Sequence, residues 1–122
     1  MFLVSCKPKN NLESLKEFKQ LDSLKDNDHI YIIPGSGCTG CISDIETLAL
    51  NNVNDSNKYF FFTKIKSVKL FKNRFGIAFI NHKNVILDTA NLFTYPNNYN
   101  DIYPLLLSNV NGEVKVKKSF KP

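Results

Sequence analysis

Two cysteines separated by two residues, Cys38 and Cys41, lie in the stretch Gly37-Cys38-Thr39-Gly40-Cys41. An apolar run, His29 to Ile33, ends shortly before them, and an amphipathic segment, Ile42 to Leu50, follows directly. A strand that hands a Cys-x-x-Cys loop to the first turn of a helix is suited to thiol–disulfide chemistry. The helix start offers unpaired backbone N–H groups and the positive end of the macrodipole. Both favour thiolate over thiol, so Cys38 could attack a disulfide near neutral pH. Cys41, one helical turn on, could resolve the mixed disulfide.

Other chemistries use the same residues. In an exported protein the pair could be a purely structural bridge, although so small a loop constrains little of the unfolded chain. Zinc needs four ligands, and only His29 and His82 are available to complete the set, far apart in the chain. Copper held by both cysteines and one histidine is chemically sensible, with His82 in the polar turn Asn81-His82-Lys83-Asn84 as the better candidate. The only arginine is Arg74, expected on the outer face of a helix, so peroxide reduction at an Arg-activated lone cysteine is not indicated.

The elements that must position the pair follow from patterning. Leu12, Leu15, Phe18, Leu21 and Leu24 mark a first helix of about four turns. His29 to Ile33 reads as a central strand covered on both faces. Pro34 to Gly37 is a turn. In the helix that follows, Cys41, Ile45, Leu48 and Ala49 share a face, which turns Cys41 inward and leaves Cys38 at the exposed tip. Asp44 and Glu46 are expected in solvent. Lys58 to Thr63 is a second buried strand. Val68, Phe71 and Phe75 give the next helix its inner face, with Lys66, Lys69, Lys72 and Arg74 outward and Gly76 as its stop. Ile77 to Ile80 and Val85 to Leu87 are short β candidates, Asp88 a turn residue, and Asn91 to Asp101 a loop or irregular helix. Asn111-Gly112, between Leu105–Val110 and Glu113–Lys118, signals a tight hairpin that Pro104 opens.

With 122 residues the chain holds one domain, and its composition is that of a globular protein. The formal charge is +5, with lysines densest over Lys64–Lys72 and Lys115–Lys121. Neither cluster has the interleaved aromatic pattern of a nucleic-acid platform, so nucleic acid is not an expected partner. No run is long enough to span a membrane. At the N-terminus, Leu3-Val4-Ser5-Cys6 has the pattern of a bacterial lipobox, with Lys7 to Asn11 as a polar tether. Only Phe2 to Val4 remain of the apolar stretch that a signal peptide needs. Residues 1–10 thus read as a remnant signal and tether, and 11–122 as the folded domain. Lipidation at Cys6 would leave Cys38 and Cys41 a self-contained pair.

The order strand, Cys-x-x-Cys helix, strand, helix and Pro-initiated hairpin resembles the thioredoxin-like fold. It is most similar to the extracytoplasmic, often membrane-tethered, thiol–disulfide oxidoreductases. The resemblance spans about His29 to Lys118. It implies an α/β protein: a three-layer α/β/α sandwich whose mixed sheet ends in a β-hairpin, here without the family's C-terminal helix. It also implies that Cys38 is the nucleophile and Cys41 the resolving thiol. Tyr103-Pro104 matches the family's cis X-Pro bond, which faces the disulfide and binds substrate backbone. No cofactor is implied. The partners would be protein dithiols or disulfides, the place the periplasm or cell envelope, the membrane contact a lipid on Cys6 alone, and the state a monomer. A non-catalytic binding module with a structural disulfide, or a copper-delivery protein, are the alternatives. The departures are Gly37 where relatives commonly carry Trp, Ile32 where many hold a buried acid, and Thr39-Gly40 between the cysteines.

Overall fold

A computed structural model describes residues 11–122. Cys6 and the lipobox lie outside the described residues. The sheet is five-stranded and mixed, in the order β3-β2-β1-β4-β5. Its strands are β1 (His29–Pro34), β2 (Lys58–Thr63), β3 (Val85–Leu87), β4 (Leu105–Val110) and β5 (Glu113–Ser119). The helices are α1 (Thr39–Asn52), α2 (Val68–Phe75) and the single turn α3 (Ile77–Ile80). β1, β2 and β3 are parallel, whereas β4 pairs antiparallel with β1, and β5 with β4. Among the described residues no helix is long and apolar enough to cross a membrane.

β1 is central, and Ile30, Ile32 and Ile33 are fully buried because both faces are covered. Each step from β1 to β2 to β3 moves one strand in the same direction. Right-handed crossovers then place both connections on one face. Accordingly α1, α2 and α3 all pack on one side, against Tyr31, Ile33, Phe60, Phe62 and Val85. A chain of rings knits that layer: Phe62 meets Phe71 at 4.9 Å, Phe71 meets Phe75 at 4.6 Å and Phe75 stacks on Phe79 at 5.2 Å.

The opposite face corrects the expected α/β/α sandwich. It is covered by Leu12, Leu15, Leu21 and Phe93, packed on Ile30, Ile32, Phe61, Ile86, Leu105 and Leu107. The expected N-terminal α-helix is two 3-10 segments, Asn11–Glu17 and Lys19–Leu21. The cause lies in the spacing. Leu12, Leu15, Phe18 and Leu21 recur every third residue, which matches the three-residue turn of a 3-10 helix and drifts around an α-helix. The rest of this layer is the irregular stretch around Phe93 and Tyr95, with Phe93 against Phe61 at 5.4 Å.

One further expectation changes. Ile77–Ile80 is a helical turn, not a strand. Ile77 and Ala78 are exposed while Phe79 and Ile80 are buried, a pairing in-and-out that a strand cannot give. Gly76, at φ 87°, redirects the chain between α2 and α3. The hairpin is as expected: Asn111 and Gly112 take φ 53° and 82°, the paired positive values of a tight two-residue turn.

Candidate functional site

The three parallel strands all point their carboxyl ends at one edge of the sheet, where β4 also begins. The order reverses direction between β1 and its neighbours on the two sides, the usual place for a site in an open α/β sheet. The cysteines occupy that edge. Pro34 ends β1, and the Gly35 N–H donates to the Thr63 carbonyl at 2.8 Å. A Cβ on Gly35 would collide with the Lys64 carbonyl. Gly37 has φ 142° and lies so close to Ile102 that a Cβ would stand 2.6 Å from its Cα. This explains the glycine: no side chain fits between the loop and Ile102.

Cys38 is the N-cap of α1. Its N–H donates to the Ile102 carbonyl at 2.9 Å, and its own carbonyl accepts from Ile42 N at 2.9 Å. Its sulfur accepts from the Cys41 N–H at 3.3 Å. Sγ therefore stands where a capping oxygen would, facing the orphan donors of the helix. Cys38 and Cys41 are joined in a disulfide with Cα atoms 5.3 Å apart. Both are half-buried, so the expected contrast between an inward Cys41 and an exposed Cys38 is not observed. The inner face of α1 is Ile42, Ile45, Glu46 and Ala49. Thr39 and Gly40, between the cysteines, are exposed, and a Cβ on Gly40 would meet nothing within 4 Å.

The segment before β4 forms the other wall. The Asn100 side chain accepts from the Ile102 N–H at 3.1 Å. The Tyr95 hydroxyl donates to the Tyr103 carbonyl at 2.8 Å. Burial pushes the Tyr95 phenol well above its ordinary range, with nearby Asp101 adding to the shift, so it remains a donor. Lys64 pairs with Asp101 at 3.2 Å and ties the β2–α2 loop to the same segment. Pro104 is buried, and its carbonyl accepts from Phe120 N at 3.0 Å. The expected cis bond is not present: no peptide bond among the described residues is cis, so Tyr103–Pro104 is trans, the form an X-Pro bond favours slightly without other constraint. Tyr103-Pro104 follows directly on Ile102, the residue that touches the cysteine loop.

Two carboxylates depart from the sequence reading. Asp88 opens the turn after β3, as expected, but it is fully buried and a multiple acceptor. Its carboxylate takes hydrogen bonds from Thr63 Oγ1 at 2.8 Å, Leu92 N at 2.8 Å and Phe93 N at 2.9 Å. It fastens the crossing chain to the end of β2. Glu46 is likewise buried and pairs with Arg74, which reaches back from α2 and also lies 5.0 Å from the Phe75 ring centroid. Both residues were expected in solvent. They meet because α1 and α2 share one face of the sheet.

The histidines lie elsewhere. His29 opens β1, at the opposite edge from the cysteines, with Nδ1 3.1 Å from Ser108 Oγ. His82 precedes β3 at that same far edge. Its Nδ1 accepts from Asn84 N at 3.1 Å and its Nε2 is 3.1 Å from Asn54 Oδ1. The copper arrangement of both cysteines with His82 is therefore not assembled. Among the described residues no three His, Cys, Asp or Glu side chains cluster as a metal site.

Ile102, Asn100, Tyr95 and the Lys64–Asp101 pair were missed in the sequence. Ile102 acts through a backbone carbonyl, which leaves no trace in residue type. Asn100, a short amide in a polar stretch, was the one available signal. No protein-family model, curated protein or solved structure matches this chain.

Proposed function

We propose that the protein exchanges disulfides with protein partners through Cys38 and Cys41, as a thioredoxin-like protein of the cell envelope. The observation that carries this reading is the disulfide at the start of α1, with Cys38 Sγ 3.3 Å from the Cys41 N–H and open space over Gly40. When a partner thiolate attacks Cys38 Sγ, one S–S bond forms and the Cys38–Cys41 bond breaks, with Cys41 leaving as thiolate. The first-turn N–H groups face Cys38 Sγ and stabilise negative sulfur on Cys38, which favours it as the leaving thiolate of the second step. A second partner thiolate then attacks the mixed disulfide and expels Cys38. The partner leaves oxidised by two electrons, and the two cysteines keep them and take up two protons. The reverse sequence oxidises this protein. In this reading Tyr103 and Pro104, next in sequence to Ile102, would lie near the partner's backbone, and a lipid on Cys6 would hold the domain at the membrane.

One observation favours a second reading, a binding module with a structural bridge. Ile32 is fully buried, so a hydrocarbon occupies the position from which relatives move a proton to the resolving cysteine. Reduction of the folded protein in graded thiol/disulfide buffers, followed by trapping and mass measurement, separates the two. Rapid equilibration at a potential between about −120 and −270 mV supports exchange. A disulfide that yields only on unfolding supports the structural bridge.

A further inference from the structure

From Asn57 to Leu87 the chain contains no Asp or Glu, yet it carries Lys58, Lys64, Lys66, Lys69, Lys72, Arg74 and Lys83. Three of these cations already have a carboxylate: Lys58 pairs with Asp55, Lys64 with Asp101 and Arg74 with Glu46. Lys66, Lys69 and Lys72 stand exposed on and just before α2. Among them projects Leu70, 67 % exposed, the most exposed large apolar side chain among the described residues. A cleft of about 170 Å³ opens at its foot, running from Leu70, Lys66 and Phe71 on one side to Glu46 and Gly35 on the other. Gly35 belongs to the loop that delivers Cys38, so the cleft reaches the redox loop itself. The one acid in it, Glu46, is neutralised by Arg74.

We propose that this cleft and the lysines around it dock the exchange partner, and that the partner's segment presents an apolar side chain flanked by Asp or Glu. The proposal rests on the exchange reading above and specifies the partner's chemistry. A cleft of this size takes one apolar side chain, beside which Leu70 supplies a second apolar contact. Lysines without nearby acids attract a negative segment and raise its encounter rate at low salt. An anionic membrane would also answer the charge. The cleft, whose lining includes the buried side chains of Phe62 and Thr63, fits an inserted side chain better than a flat lipid surface.

The test compares two dithiol peptides of one backbone, each with a central Leu, one flanked by Asp and Glu and the other by Lys. Dithiothreitol serves as the small uncharged reductant. In the wild-type disulfide form the acidic peptide should reduce Cys38–Cys41 about tenfold faster than the basic one at low ionic strength. The gap should close at high salt. K66E/K69E/K72E should reverse the order. Leu70→Ser should slow the acidic peptide at every salt concentration while the dithiothreitol rate stays unchanged. Equal rates for the two peptides in the wild type would overturn the proposal. So would Leu70-dependent sedimentation with phosphatidylglycerol vesicles that the acidic peptide fails to compete away, because it assigns the face to a membrane. If dithiothreitol itself does not reduce the folded protein, the exchange reading fails instead. Lysine-dependent binding of the acidic peptide, read by fluorescence anisotropy, then still decides docking: binding sustains it and no binding ends it.

Discussion

The two edges of the sheet are built from similar materials to opposite ends. At the far edge, buried polar side chains close the structure. Asn84 Nδ2 donates to the carbonyls of Val53 at 3.0 Å and Asp55 at 3.1 Å, Asp28 accepts from Lys25 N at 2.8 Å, and Asn109 Nδ2 donates to Lys25 O at 3.0 Å. The Asn84 and Asn109 bonds join neighbouring segments, and the Asp28 bond closes the turn that leads into β1. At the cysteine edge side chains fasten the loops too, Asp88 to Thr63 and the Tyr95 hydroxyl to the Tyr103 carbonyl, while glycines permit close approach of the backbone and Thr39 and Gly40 lie exposed between the half-buried cysteines. Polar residues by themselves therefore do not mark the site. What marks it is the disulfide, held from behind through the Ile102 carbonyl with exposed residues in front.

The sharpest way to break this contrast is Cys38→Ser. It should remove exchange entirely while costing at most about 2 kcal/mol of stability, since the loop it opens is small. Cys41→Ser should accumulate mixed disulfides with partners, detectable by mass spectrometry. Next in size is Asp88→Ala, which strips a buried acceptor from three donors and should cost about 3 kcal/mol in urea unfolding. The far edge supplies the mirror image. Asn84→Ala should cost about 2 kcal/mol yet leave the exchange rate of the folded protein within about twofold, because it touches only the closed edge. An exchange rate that falls with Asn84→Ala would erase the distinction between the edges.

Gly37→Ala should cost about 1–3 kcal/mol, from a positive φ and a clash with Ile102, and should also slow exchange by displacing the Cys38 N–H from its carbonyl. The smallest effect belongs to His29. Burial, then Lys117 and Lys58, lowers its pKa below the ordinary 6.5. The folded state then binds fewer protons than the unfolded chain below that pH, so stability should decline as pH falls through about 6.5. The decline is small because His29 is only half-buried, and His29→Gln should abolish it in urea midpoints followed across pH.

The strands, α1, α2 and the hairpin were legible because each rests on a strong local pattern: the Ile-rich run of β1, the Phe run of β2, the Asn111-Gly112 turn. The N-terminal segment was misread because apolar spacing alone was taken as α-helical, when a strict period of three is 3-10 spacing. Ile77–Ile80 was misread because a four-residue apolar run has no readable period. Cys38 and Cys41 were found by type and spacing. Their surroundings were not, because Ile102 contributes a carbonyl, and because Glu46–Arg74 and Asp88–Thr63 join residues distant in sequence. Such pairings depend on which strands become neighbours, which no local window contains.

The bond from the Cys38 N–H to the Ile102 carbonyl has a consequence for how the protein comes into being. The reactive loop belongs to the first half of the chain, and its clamp to the last quarter. During synthesis the two cysteines emerge and can oxidise well before Ile102 exists. The loop then lacks both the wall against Gly37 and the acceptor that orients the cap. A nascent chain halted before Asn100 should therefore carry the thiols without their native reactivity. Chemical competence would arrive late, together with the strand pairing of β4 against β1.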